Sequence, residues 1–258
     1  MDATDFPLTV ERDCDLTVLA GASSTNDYAI EHPGNPDRLG VVVTNNQTSG
    51  RGRAGRTWQQ PVGSGLALSF SLPTSSAIRA ISPGVVPLLA GYLVSDAISR
   101  FGVSPVGVKW PNDVLVRGKK IAGVLTEKTS DGRMIVGIGI NIEYPELSLP
   151  TPHSTSLHLH APVDHNTPDA LLSTLVDGFL RLAEKGVDEV LWQAVTDRMV
   201  TIGRRIRVDF PGKDQRLGTA RGVESDGSLR VLWDDGEAGV VIAGDVWHVF
   251  NAEHDEPR

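Results

Sequence analysis

The sequence predicts an α+β protein in two parts. A mixed or antiparallel sheet with flanking helices is expected over residues 1–200, and a small all-β module over residues 201–258. Three observations carry this expectation. Short β-branched runs divided by turn signals recur before residue 145; amphipathic helical stretches stand among and after them; and beyond Ile202 the helical period gives way to short strands at regular spacing.

Taken in order, Ser23, Ser24, Thr25, Asn26 and Asp27 precede YAIEHP, which reads as an N-capped short helix ending before Pro33. LGVVVTNNQ is a buried strand, and LALSFSL (66–72) alternates apolar and small polar residues at period two. A helix starts at Ser82-Pro83, with Val86, Leu89, Ala90, Leu93, Val94, Ala97, Ile98 and Phe101 on one face and Gly102 closing it. VGVKW, VLV and KIAGVLTEKT follow as strands, and Asp131-Gly132 turns the chain into RMIVGIGINIE, so the region reads as a meander. The segment 145–166, rich in Pro, Ser, Thr and His, is long for a connection, a length typical of functional or mobile loops. Thr167-Pro168-Asp169 caps a helix that stops at Gly186, and DEVLWQAVTDRM adds another. RRIRVDF, RLGTARGV, SLRVLW, AGVVIAG and WHVF, divided by PGKD, SDG and DDGE, then make a small barrel.

The chain of 258 residues, 40% hydrophobic and 22% charged, has ordinary globular composition. It shows no apolar run of membrane length and no signal peptide, so neither membrane insertion nor export is expected. Cys14 is the only cysteine, which excludes an internal disulfide and points to a reducing cytoplasm. A net charge of −8 argues against generic nucleic-acid binding. No acidic residue occurs between Asp37 and Asp96, however, while Arg38, Arg51, Arg53, Arg56 and Arg79 all lie there. That local positive stretch suits a small anionic ligand, or is an accident of composition.

Residues 48–58, TSGRGRAGRTW, spell G-x-G-x-x-G at Gly50, Gly52 and Gly55. A dinucleotide loop must open a helix, yet RTWQQPVGSG follows, where Pro61 and two more glycines forbid a helix interior. The acidic residue expected about twenty positions on is missing as well. No Gly-Lys-Ser/Thr follows, and neither H-R-D nor D-F-G occurs, so phosphate-loop ATPases and kinases are excluded. What remains is a mobile glycine-rich loop between strands carrying three arginines, each a fixed fork of donors for carboxylate or phosphate. In KWPNDVLVRGKKIAG (109–123), Lys109, Lys119 and Lys120 stand on or beside a hairpin with Asn112 and Asp113 at its other end. Either two cations and a carboxylate converge on a pocket, or the hairpin carries ordinary surface lysines, as Lys119 does.

Together, G-R-G-R-x-G-R-x-W, K-W-P-N-D, K-I-A-G-V-L-T-E and G-I-G-I-N, with Ser24-Thr25-Asn26 upstream, resemble the biotin protein ligases over about residues 20–250. The resemblance implies a class II synthetase-like catalytic domain and an SH3-like C-terminal module. It also implies an activity: biotin, ATP and Mg²⁺ yield biotinyl-5′-adenylate, and biotin passes to a lysine of a biotin carboxyl carrier domain of acetyl-CoA carboxylase or a related carboxylase. Arg51 and Arg53 would hold the biotin carboxylate and the phosphate, Gly50 and Gly52 would let the loop close, and Lys120 would contact the same anions. Ser24, Thr25, Asn26 and Gln47 match biotin-binding positions, with helix capping and strand-end packing as their alternatives. Gly123 and Gly139 would permit close backbone approach. Asn112 and Asn141 match nucleotide-side or metal-side positions, Lys109 would stabilise developing charge, and Trp58 and Trp110 would wall the pocket or pack in the core. Asp113 would orient or deprotonate the acceptor amine, and no metal ligand is assigned. Lipoate–protein ligase is the sibling reading, and a non-catalytic biotin- or nucleotide-binding module a rival of another kind. The 23 residues before Ser24 are few for a helix-turn-helix domain, so DNA binding is not expected, and a homodimer stays open.

Overall fold

The computed structural model describes residues 1–210, 214–242 and 244–249. Of the expected features, Pro211 to Lys213 in the PGKD turn, Ala243, Phe250 and the remainder to residue 258 lie outside the described residues.

Before residue 200 the chain forms helices α1 (Pro7–Val10), α2 (Thr25–Glu31), α3 (Ser76–Arg79), α4 (Val86–Ser99), α5 (Thr167–Lys185) and α6 (Glu189–Asp197). Its strands are β1 (Cys14–Val18), β2 (Leu39–Thr44), β3 (Gly50–Arg51), β4 (Thr57–Trp58), β5 (Gly65–Ser71), β6 (Val106–Lys109), β7 (Asp113–Val116), β8 (Lys119–Lys128) and β9 (Met134–Asn141). Seven of them make one sheet in the order β1-β2-β5-β9-β8-β7-β6, while β3 and β4 pair separately. Only β1 and β2 run parallel; the other pairings in this sheet are antiparallel.

Side chains of a strand alternate between faces, and helices cover both faces here. Leu66, Leu68 and Phe70 enter the main core beneath α4 and α5, where Phe70 and Phe179 rings stand 4.3 Å apart. Ala67 and Ser69 point to the opposite face, where α2 crosses β2, β5 and β9, and the hydroxyl of Ser69 donates to Asn26 Oδ1 at 2.6 Å. The alternation at 66–72 therefore separates a large-residue face from a small-residue face, both buried. The cap of α2 is Ser24, whose Oγ accepts from the Asp27 N–H at 3.3 Å. The helix expected from Ser82 begins at Val86, because Pro87 occupies its first turn and Gly84 is pressed against the backbone of Asp226.

After residue 200 come β10 (Arg205–Asp209), β11 (Arg216–Val223), β12 (Leu229–Trp233), β13 (Ala238–Val241) and β14 (Asp245–His248). They form an antiparallel five-stranded sheet in the order β13-β12-β11-β10-β14. It docks beside the β6–β7 hairpin: the indole N–H of Trp110 donates to the Gly227 carbonyl at 2.9 Å, and the Trp110 amide donates to Thr201 Oγ1 at 2.9 Å. No helix among the described residues is long and apolar enough to cross a membrane.

Candidate active site

One line of paired residues sets the site. Lys109 lies opposite Asp113, Asp113 opposite Gly123, Gly123 opposite Gly139, and Gly139 opposite Ala67. Directly paired residues share a face, so β6, β7, β8, β9 and β5 each give one position to a row that runs from charge to almost no side chain. In β9 the spelling GIGI puts Gly137 and Gly139 on this face and sends Ile138 and Ile140 into the core. The glycines floor a cavity of about 250 Å³. The indole of Trp58 occupies the space above them: a Cβ on Gly139 would stand 2.5 Å from Trp58 Nε1, and one on Gly123 would stand 3.3 Å from Cζ3.

Most residues singled out from the sequence line this cavity: Ser24, Thr25, Asn26 and Gln47; Arg51, Gly52, Arg53 and Trp58; Asn112, Asp113, Lys120, Gly123 and Asn141. Gln47 Oε1 accepts from the Thr25 N–H at 2.9 Å. Asn26 is spent within the protein, since Nδ2 donates to Glu127 Oε2 at 2.6 Å while Oδ1 accepts from Ser69. Asn112 braces the hairpin through the Val124 carbonyl (2.8 Å), and Asn141 holds the Thr155 carbonyl (2.9 Å). Lys120 reaches the cavity through a bulge. The β7–β8 register shifts between Val114 and Leu115, which turns Lys120 toward the face of Gly123. Its Nζ meets Asp113 Oδ1 at 2.6 Å and lies 5.6 Å from the Trp58 ring centroid. The 145–166 segment holds Lys120 from behind, with the Lys120 N–H donating to the His153 carbonyl and the Lys120 carbonyl accepting from Thr155.

The glycine–arginine stretch is a small hairpin, β3–β4, whose tip passes through Ala54 (φ 53°) and Gly55 (φ 73°). Left-handed backbone suits Gly55 and is unusual for Ala54. The three arginines of this lid differ. Arg51 Nη2 binds Asp27 Oδ1 at 2.6 Å and Glu127 Oε1 at 3.1 Å, and Arg56 Nη2 binds Asp245 Oδ1 at 2.8 Å. Arg53 has no ion pair or side-chain hydrogen bond among the described residues, and burial holds its guanidinium below the ordinary arginine value.

Three predicted residues stand apart. Gly50 does not line the cavity, and Gln47 and its strand partner Trp58 leave no space for a side chain there. Lys109 closes the charged end of the row but does not line the cavity. Its Nζ lies 5.5 Å from the ring centroid of Trp247 on β14, and burial pushes the ammonium below its ordinary value while Asp113 opposes the shift. Trp110 is a core residue, 2% exposed, and no wall of the cavity. Sequence reasoning missed Asp27, Glu127, Asp245 and Gly137; of these, only Gly137 carried a signal, the glycine alternation itself. In the sequence Arg56 reads as one of three anion-binding arginines, whereas its guanidinium is taken by Asp245.

A half-buried arginine with no partner among the described residues, a lysine–carboxylate pair and a glycine floor under a hairpin lid give a cavity whose chemistry suits a small anionic molecule. Residues 20–143 match the model of the biotin/lipoate A/B protein ligase family. A biotin–(acetyl-CoA-carboxylase) ligase of Mycobacterium tuberculosis is 34% identical over 241 residues, covering 91% of this chain and 89% of its own. Another, from Paracoccus denitrificans, is 29% identical over 233 residues, covering 82% and 92%. The biotin protein ligase of Aquifex aeolicus, solved with biotin and ATP, matches with TM-score 0.74 at 26% identity over 91% of this chain and 99% of that one. The chain belongs to the biotin/lipoate protein ligase family and is a ligase.

Proposed function

We propose that the protein activates biotin with ATP to biotinyl-5′-adenylate and transfers the biotinyl group to one lysine of a biotin carboxyl carrier domain, in a reducing cytoplasm. The observation that carries this reading is the polarity of one cavity. Arg53, Lys120 and Asp113 stand toward β7 and β8, and the uncharged Ser24, Thr25 and Gln47 stand toward α2, where the charge of Arg51 is met by Asp27 and Glu127. An anionic carboxylate tail and a neutral ureido head match those two ends. We assign residues 1–200 to catalysis and 201–258 to a companion β module.

In the first step a biotin carboxylate oxygen attacks the α-phosphorus, the new P–O bond forms, and pyrophosphate leaves. Both reactants are anions, so preorganised cations lower the barrier; Arg53 and Lys120 supply them from the cavity lining, with Lys109 behind Asp113 at the charged end of the row. In the second, the lysine nitrogen attacks the carbonyl carbon, the bond from that carbon to the AMP oxygen breaks, and the amine proton passes to Asp113. The acceptor amine must be neutral, although a free lysine titrates near about 10.4. Asp113 is engaged by Lys120; a phosphate that draws Lys120 away frees the carboxylate to receive the proton. At about 250 Å³ the cavity falls below the roughly 300–1,000 Å³ usual for ligand pockets, so admitting the nucleotide requires the lid to move. Magnesium is assigned to the triphosphate. Among the described residues no three His, Cys, Asp or Glu side chains are grouped to hold an ion, and Mg²⁺ commonly binds through substrate phosphates.

Incubation with biotin, Mg-ATP and a carrier domain tests the proposal. Biotin on the carrier lysine is the expected result. Absence of transfer would overturn the reading, and lipoyl incorporation in its place would assign the sibling activity.

A further inference from the structure

The lid is fastened at both flanks by carboxylates from different parts of the chain. Arg51 is held by Asp27 of α2 and Glu127 of β8, within the large sheet and its helix. Arg56 is held by Asp245, which opens β14 of the second sheet and is separated from it by 189 residues. Arg56 is also the closing residue of the lid turn. Its Nε donates to the Arg53 carbonyl at 3.2 Å, and its own carbonyl accepts from the Gly52 N–H at 2.7 Å. Whatever fixes Arg56 thus fixes the turn on which Arg53 rides.

The turn needs such support. An isolated two-stranded hairpin is marginal in water, and this one has strands of two residues each with a non-glycine residue in left-handed backbone. Arg56 also stands close enough to Lys109 for the two cations to repel, so an unopposed lid would be pushed from its own site. Strand alternation sends Asp245 and Trp247 to one face of β14, and both meet the site, Asp245 at Arg56 and Trp247 at Lys109. The edge strand is therefore seated by two separate contacts, one on the lid through Asp245 and one on β6 through Trp247.

We infer that Asp245 is a positioning residue: through Arg56 it fastens the lid from the C-terminal module and so retains the acyl-adenylate until the acceptor lysine arrives. The inference rests on the ligase reading above. Escaped adenylate would acylate exposed lysines of other proteins, each with loss of AMP. Both partners are half exposed, so the contact is of the modest kind, and loss of its charge should raise escape by about twofold to fivefold.

The test compares the full chain with Asp245→Asn, which keeps the shape and removes the charge, and Asp245→Glu, which keeps the charge. Each is given biotin, Mg-ATP, the carrier domain and serum albumin as bystander, and the ratio of albumin to carrier labelling is measured. Trypsin cleavage after Arg53 and Arg56 reads lid opening without any reference to catalysis. Asp245→Asn should raise both the ratio and the lid cleavage, and Asp245→Glu should return both toward wild type. A wild-type ratio and cleavage rate in Asp245→Asn would overturn the inference, as would equal leakage from Asp245→Glu. If the wild type labels no carrier at all, the ligase reading fails instead, and the cleavage rates still decide whether Asp245 fastens the lid.

Discussion

Consider Gly139→Ala. The added methyl would lie 2.5 Å from Trp58 Nε1 and 2.6 Å from Cζ2. Ordinary carbon contacts fall at about 3.5–4.0 Å, so the indole must lift by about 1 Å or more. Gly139 itself lies in extended β9 without a positive φ, and alanine there reduces the freedom of the unfolded chain, a gain of about 0.4–1 kcal/mol. The displaced ring belongs to the two-residue strand β4 and is only half-buried, so the core is spared. What suffers is closure of the lid over a ligand. Overpacking of that kind costs about 1–3 kcal/mol, which at about 1.4 kcal/mol per tenfold is a loss of about 5-fold to 150-fold in affinity. Calorimetric titration with biotin should therefore show a weaker Kd while thermal unfolding of the free protein shows Tm unchanged or slightly raised. Unaltered biotin affinity, or a Tm lowered by the cost of a core clash, would refute the glycine-floor reasoning.

Arg53→Gly should preserve the fold but lose charge-assisted hydrogen bonds worth about 1.5–3 kcal/mol to the ligand's anion, raising adenylate escape by about 10-fold to 150-fold; strict carrier specificity in a labelling assay would contradict lid retention. Burial first, then Lys109 and Arg204, hold His248 at about 4, against 6.5 ordinarily. The unfolded chain takes up that proton first, so stability complete above about pH 6.5 should decline toward pH 4 by about 3 kcal/mol at most. Denaturant titrations of His248→Gln should show a flatter profile across that window, and an unchanged slope would remove His248 as its source. Asp169, 2% exposed, accepts from the Leu8 and Thr9 amides and from Thr9 Oγ1. Asp169→Ala should cost about 2–4 kcal/mol in unfolding free energy by orphaning those donors, and a loss below about 1 kcal/mol would show that they find other partners.

The elements that local chemistry dictates were legible in the sequence. Ser24 caps α2, Gly186 (φ 70°) ends α5, and the strands from Val106 to Asn141 follow their turn signals. Less legible was β1, a five-residue edge strand with one exposed and four half-buried positions, which lacks a clean alternation to reveal it. Short two-residue strands such as β3 and β4 have no period at all, so the lid read as a loop. At the site, residue types were readable from the motifs, while partners were not. Asp27, Glu127 and Asp245 look like ordinary surface carboxylates until folding brings them to Arg51 and Arg56. Lys120 needed a bulge to face the cavity, and a bulge is set by the pairing of two strands, not by the spelling of either. The position of Lys109 beneath Trp247 depends on how the second sheet docks, a contact between residues far apart in the chain.

The Gly-Ile-Gly-Ile spelling of β9 also guards against a folding error. Were β9 to pair one residue out of register with β8 and β5, Ile138 and Ile140 would turn into the space now held by Trp58 and Asn26, and two glycines would face α4. Such a chain would leave a hole in its core as well as a blocked cavity. Misassembly at this strand would thus announce itself as instability, open to proteolysis and refolding, and would not persist as a well-folded protein incapable of catalysis.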